Sequence, residues 1–216
     1  FREVRAKAGG FLNLCYNPEL AAEVTLQPIR RFGMDASIVF ADILLIPDGL
    51  GQKLEYVADK GPVLEPIRNL SDLSKLSLDR LNNRASPVYE TVSRVKEALP
   101  ENVTLIGFAG APWTVACYMV EGGGSRDHAT VKHWAYEDPD SFGKLIDMLV
   151  FATVEYLKKQ VEAGAEVLQL FDTWASVLNE PGFVRWCLEP VQKIVAELRK
   201  VSPDIPIIGF PRGAGA

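Results

Sequence analysis

Acidic and hydroxyl side chains recur in this sequence directly after short apolar runs, the position where parallel α/β proteins keep their chemistry. Asp42 follows Ile38-Val39-Phe40-Ala41 and precedes Ile43-Leu44-Leu45-Ile46. A carboxylate in such surroundings is costly to bury unless hydrogen bonds or a cation compensate it. Two readings fit: an acid aimed into a cleft, or one that caps neighbouring backbone amides. Phe171-Asp172-Thr173 repeats the pattern with a second acid and a hydroxyl. Locally, a strand-to-helix turn with Asp172 or Thr173 as its cap accounts for it. Between these lies Gly107-Phe108-Ala109-Gly110-Ala111-Pro112-Trp113-Thr114, leading to Tyr118-Met119-Val120-Glu121-Gly122-Gly123-Gly124-Ser125. Tyr118 offers a phenolic donor, either to a cleft or to a partner inside a core. The consecutive glycines predict close approach of a ligand or another chain.

Several other chemistries find no support. No dinucleotide fingerprint G-x-G-x-x-G and no Gly-Lys-Ser/Thr phosphate loop is present. His128 and His133 are five residues apart, wrong for two metal ligands on one helical face, and read as surface histidines. Cys15, Cys117 and Cys187 are odd in number and widely spaced, which predicts reduced, mostly buried thiols rather than a disulfide framework. No metal site is expected. A net charge of -5 argues against sequence-independent nucleic-acid binding. Arg30-Arg31 reads as a solvated helix end, and Arg5 takes no meaning from its neighbours.

The elements that must hold these residues alternate between short apolar strands and longer helices. Asn17-Pro18 and Asp138-Pro139 each pair an N-cap with a proline at the first helical position. The first opens a helix running to Gly33, with Leu20, Ala21, Val24 and Ile29 on one face. The second opens a long helix with Leu145, Leu149, Ala152, Tyr156 and Val161 inward, ending at Gly164. Further helices carry Val88, Val92, Val95 and Leu99, and Leu188, Val191, Val195 and Leu198. Leucines from Leu70 to Leu81 have helical spacing without clean caps, and Lys53 to Val63 reads as irregular or hairpin structure. Strands are expected at 37–40, 103–108, 166–171 and 205–210.

Near-continuous apolar strands separated by helices predict a parallel sheet covered on its faces. Either a (β/α)8 barrel or an open doubly wound sheet satisfies this. Polar or glycine-rich residues after every strand (Asp42, Gly107 to Pro112, Asp172-Thr173, Arg212-Gly213) lean toward the barrel, which gathers many strand ends into one mouth. Four strands over 216 residues predict one barrel domain over 1–216, incomplete at both the N- and C-termini. The sequence opens at Phe1 without a basic segment leading into an apolar core, so no signal peptide is read and preceding residues are expected. No apolar run approaches the length of about 18 residues that a membrane span requires.

Taken together, these blocks resemble the uroporphyrinogen decarboxylase family almost end to end. The resemblance rests on Glu23-Val24-Thr25-Leu26-Gln27-Pro28-Ile29-Arg30-Arg31-Phe32, on Phe40-Ala41-Asp42-Ile43-Leu44 and on Gln169-Leu170-Phe171-Asp172-Thr173. Its most specific part is the long segment from Gly107 to Ser125. It implies a (β/α)8 TIM barrel with its cleft at the carboxyl ends of the strands, and a cytoplasmic homodimer that needs no cofactor. The implied reaction converts uroporphyrinogen III to coproporphyrinogen III by decarboxylating four acetate side chains. Asp42 would accept hydrogen bonds from the pyrrole N–H groups, with Tyr118 close to it. Thr173 would offer a hydroxyl to substrate, and Arg5 would stand at the cleft edge. The family's Arg-Gln-Ala-Gly-Arg motif, which supplies arginines for the substrate carboxylates, and a histidine from later strands are absent from this sequence.

Loss of CO2 from an acetate on a pyrrole leaves electron density that needs a sink. Protonating the adjacent pyrrole carbon makes the ring itself that sink, and a fixed carboxylate stabilises the positive charge that develops. Two rivals remain. One is a corrinoid-linked methyltransferase on the same barrel, holding zinc through His and Cys ligands. The other is a tetrapyrrole-binding paralogue without catalysis.

Overall fold

In the computed structural model, which describes residues 1–214, strands and helices alternate as expected. Two short helices, α1 (Arg2–Lys7) and α2 (Phe11–Cys15), lead into α3 (Pro18–Phe32). The α3 cap is the predicted one: the Asn17 side chain accepts the Leu20 N–H at 3.0 Å, and Gly33 ends the helix at φ 62°. Strand β1 (Ala36–Ile38) follows, then α4 (Leu45–Leu50) and an antiparallel hairpin of β2 (Leu54–Val57) and β3 (Gly61–Leu64). After α5 (Leu70–Leu73) and α6 (Leu81–Ala98) comes β4 (Thr104–Gly110), then α7 (Pro112–Glu121), α8 (Ala129–Glu137) and α9 (Pro139–Glu162). The remaining elements are β5 (Val167–Asp172), α10 (Glu180–Phe183), a widened turn at Val184–Leu188, α11 (Glu189–Val201) and β6 (Ile207–Pro211).

The sheet has the order β1-β4-β5-β6, and every adjacent pair is parallel. Strand order therefore follows chain order in one direction, without the reversal that defines a doubly wound sheet. That progression is an arc of a (β/α)8 barrel, which decides between the two architectures the sequence left open. The hydrophobic core is one contiguous cluster reaching from Cys15 to Ile205. On its outer side Phe142 of α9 lies edge-on to Trp113, Trp134 and Trp186, at centroid distances of 6.0, 5.6 and 4.9 Å. Such edge-to-face contacts each add about 0.5–1.5 kcal/mol beyond area burial.

Some local expectations fail for identifiable reasons. Helix α7 lacks any polar face, because nearly all of it is buried, so no amphipathic pattern announces it. The leucines from 70 to 81 form only the single turn of α5 and a 3-10 turn at Leu78–Arg80. A cap is nevertheless present, since Asn69 accepts the Asp72 N–H at 2.9 Å. Gly215 and Ala216 lie outside the described residues.

One irregularity in the sheet shapes the mouth. Phe108 turns its N–H and C=O toward the β1 side, but β1 ends opposite Ile106. The amide of Gln160, on α9, fills the gap: Oε1 accepts the Phe108 N–H and Nε2 donates to the Phe108 carbonyl, both at 2.9 Å. The Phe40 N–H bonds instead to Thr25 Oγ1 at 2.9 Å. The chain after β1 is thus free to diverge and carry Asp42 away from the ladder.

Candidate active site

Asp42 stands in the loop after β1, with Oδ1 accepting the Leu44 N–H at 2.8 Å. Capping and cleft readings are therefore compatible, because that is the only well-formed hydrogen bond of the carboxylate among the described residues. The loop sits close against the end of β4. A Cβ on Gly110 would come within 2.9 Å of Ile43 Cβ and 2.6 Å of Val115 Cγ2, so glycine is required for that approach. Burial raises the Asp42 pKa, opposed by the Leu44 N–H and the Tyr56 hydroxyl. That hydroxyl faces the carboxylate but is not aligned for a good hydrogen bond and has no other partner among the described residues. Burial and the Asp42 charge together raise the Tyr56 pKa, and they push the Cys15 thiol up to about 12. Neither group carries charge near neutral pH.

Tyr118 lies on α7, half-buried. Burial, with a smaller contribution from Asp42, raises its pKa, while the Trp174 indole N–H works the other way. The phenol therefore remains a protonated donor in the field of the carboxylate. Its ring is 6.2 Å from that of Trp174. Of the three glycines after α7, Gly122 and Gly123 are approached closely by the protein's own hairpin. A Cβ on Gly123 would meet Pro62 O at 2.8 Å, and the Leu64 N–H donates to Gly122 O at 3.0 Å.

At the end of β5 the expected turn cap does not form. Asp172 is buried, and the Thr114 hydroxyl of α7 donates to its Oδ1 at 2.6 Å. The same hydroxyl accepts the Trp174 N–H at 3.0 Å, and the Trp113 indole N–H donates to Trp174 O at 3.0 Å. Burial raises the Asp172 pKa against the Thr114 hydrogen bond. The Cys187 thiol lies beside it, too poorly aligned to complete a bond to Oδ2. Asp172 thus ties α7 to β5 and fixes the backbone on which Thr173 and Trp174 follow. Thr173 itself is half-buried.

Arg5 is exposed on α1, with its guanidinium 5.6 Å from the Phe11 ring centroid. Phe11 in turn lies 4.6 Å from Tyr56, so an aromatic path joins Arg5 to the neighbours of Asp42. The structure accordingly gathers Asp42, Tyr118 and Tyr56, while Thr173 is linked to them only as the chain neighbour of Trp174 and Arg5 only through Phe11. Tyr56 and Trp174 are not singled out by the sequence, and Cys15 reads there only as a reduced, buried thiol; only a lone tyrosine within a hairpin marks the first of them. The reading of both histidines as surface residues needs correction. His133 is exposed, but His128 is only 2 % exposed and stacks 4.9 Å from Trp174. The three cysteines are free and buried, as expected. Among the described residues no cluster of three His, Cys, Asp or Glu side chains is arranged to hold a metal ion, and no helix is long and apolar enough to cross a membrane.

A family model described as uroporphyrinogen decarboxylase (URO-D) matches residues 1–216. The uroporphyrinogen decarboxylase of Rhodospirillum rubrum is 50% identical over 215 residues, which cover 100% of this chain and 62% of that protein. Those of Jannaschia sp. and Granulibacter bethesdensis are each 53% identical, again over 100% of this chain and 63% of their own length. The chain therefore spans less than two thirds of these relatives. A solved methyltransferase from Methanosarcina mazei superposes with a TM-score of 0.73 at 23% identity, covering 91% of this chain and 58% of that one. This last likeness concerns the fold. With a family model matched along its whole length and relatives of that name at half or more identity, this chain belongs to the uroporphyrinogen decarboxylase family.

Proposed function

We propose that the complete protein is a uroporphyrinogen decarboxylase, converting uroporphyrinogen III to coproporphyrinogen III in haem and tetrapyrrole biosynthesis. The observation that carries this is Asp42, a carboxyl held in a desolvated loop at the carboxyl end of β1 among neutral hydroxyl donors. Such a group is suited to stabilise positive charge on a pyrrole system.

In the proposed reaction a proton first adds to the ring carbon between the pyrrole nitrogen and the carbon bearing the acetate arm, leaving that neighbouring carbon electron-deficient in a cationic ring. The bond between the methylene and the carboxylate then breaks. Its electron pair flows into the ring, and CO2 leaves. Protonation of the methylene carbon and loss of the ring proton complete a methyl group and restore the pyrrole. The sink is the substrate's own ring, so the chemistry calls for no cofactor. Asp42 accepts the pyrrole N–H groups and opposes the cationic charge. Tyr118, held protonated, orients the substrate beside Asp42. The Thr173 hydroxyl contacts the macrocycle, and Arg5 at the rim pairs with an acetate or propionate carboxylate. Residues 1–216 are read as part of one barrel domain, which the contiguous core supports. A homodimer in the cytoplasm completes the proposal; free, buried thiols fit a reducing compartment.

The test is CO2 release from uroporphyrinogen III by the complete protein and by Asp42→Asn. The substitution is expected to lower kcat/KM at least tenfold, about 1.4 kcal/mol of barrier. A smaller loss removes Asp42 from its proposed role. The methyltransferase neighbour gives one rival reading a structural footing. Stoichiometric zinc in the complete protein, without CO2 release, would establish that rival. Tetrapyrrole binding without either would favour a binding paralogue.

A further inference from the structure

His128 combines two unfavourable features. Its backbone sits in the left-handed region at φ 56°, uncommon for a residue with a side chain, and its N–H is pinned to Ser125 Oγ at 3.0 Å. Its imidazole is 2 % exposed, yet neither Nδ1 nor Nε2 has a hydrogen-bond partner among the described residues. The backbone carbonyl continues into α8 while the side chain caps nothing. A strained backbone and an unpaired buried imidazole persist together only where the surrounding structure imposes them.

The contact that occupies the ring is Trp174, at a centroid distance of 4.9 Å and an interplanar angle of 51°. Trp174 is also fixed through its backbone, by Thr114 at its N–H and by Trp113 at its carbonyl. Beyond it, 6.2 Å away, is the Tyr118 ring. Trp174 is therefore backed by His128 and faces the phenol that shares the Asp42 field.

We infer that His128 is a positioning residue for the candidate active site, backing Trp174 so that Trp174 holds Tyr118 beside Asp42. The inference rests on the proposed role of Tyr118. A neutral imidazole is needed, because a charged ring packed without partners would be far costlier. Burial lowers the His128 pKa and so favours the neutral form. The charged groups around it are Glu121 of α7, which opposes that shift, Asp127 of its own loop, which also opposes it, and Lys132 of α8, which reinforces it. The Trp174 side adds no charge of its own.

The experiment uses the complete protein with His128→Ala and His128→Phe. Removing the ring should lower kcat about two- to tenfold, the range set by the strength of one aromatic pair, and leave KM within about twofold. Phenylalanine, which keeps an aromatic face and cannot charge, should restore kcat and remove any acid-side loss of kcat caused by charging of this histidine. Unchanged kcat in His128→Ala overturns the inference, as does a folded His128→Phe that is as impaired as the alanine variant. Proton resonances give a second reading that needs no turnover. With two histidines in the sequence, the His128 ring signals are separable, and the Trp174 ring current should displace them. The displacement should vanish in Trp174→Leu, and His128→Phe should shift the Tyr118 ring signals. Undisplaced His128 signals, or Tyr118 signals that ignore position 128, overturn the inference even if His128→Ala fails to fold. If CO2 release is absent from the wild type while both shifts are present, the decarboxylase reading fails and the positioning contact stands.

Discussion

Asp42 and Asp172 are carboxyls at the ends of β1 and β5, the strands on either side of β4, both held above the ordinary carboxylate pKa of 3.8 chiefly by burial. Each binds its proton more tightly in the folded chain than in the unfolded one. The stability they contribute is therefore complete below that ordinary value and is lost as pH rises through the raised folded value. Asp172→Asn removes this loss while keeping an oxygen for the Thr114 hydroxyl. Its stability relative to wild type, followed by urea unfolding, should increase between about pH 4 and about pH 8. A gap that is flat or narrows across that window contradicts the assignment. Thr114→Val, by contrast, strips a donor from Asp172 and an acceptor from the Trp174 N–H in one nearly isosteric change. It should cost about 2 kcal/mol and lower Tm by about 4–8 °C, measured by thermal melting. Asp42 and Tyr118 were legible because polar groups in apolar company stand out locally. The true role of Asp172 was not, since its partner Thr114 lies 58 residues earlier and no spacing rule links them.

Helices α3 and α9 were legible for a local reason: Asn17-Pro18 and Asp138-Pro139 state where a helix starts whatever it later packs against. Helix α7 was hidden because it sits between the sheet and α9, buried on nearly every side, so its sequence records no solvent face. The consequence for function is direct, since α7 carries Thr114 and Tyr118. At this scale the device that opens the mouth is Gln160, whose amide stands in for a strand beside Phe108. Gln160→Ala leaves a buried N–H and a buried carbonyl unpaired, each at about 1–3 kcal/mol. Thermal melting should show a loss larger than that of Thr114→Val. The divergence of Phe40 from β4 should relax as well, so activity should fall in protein that remains folded. A Gln160→Ala protein as stable as wild type would mean that water or β1 replaces the lost bonds.

For the whole molecule, fold class followed from the alternation of elements, whereas the choice of barrel over doubly wound sheet required the strand order. That order is set by which helix packs beside which, long-range information that periodicity does not carry. The same order leaves β1 and β6 each with a single neighbour among the described residues. Ile38 on β1 is 41% exposed, and Ile208 and Phe210 on β6 are 42% and 47% exposed. Unpaired parallel edges carrying apolar side chains recruit partners, and a net charge of -5 gives only modest repulsion against association. The 216-residue chain expressed alone should therefore bind a hydrophobic dye and self-associate as concentration rises, measured by fluorescence and light scattering. The complete protein, at the length of the relatives, should do neither beyond the proposed dimer. Charged substitutions at Ile208 and Phe210 should reduce self-association of the isolated chain while destabilising the complete protein, where a closed barrel buries these positions. If those substitutions leave the complete protein's Tm unchanged, the β6 edge is not covered by barrel closure, and the arc seen here is not continued into a closed (β/α)8 ring.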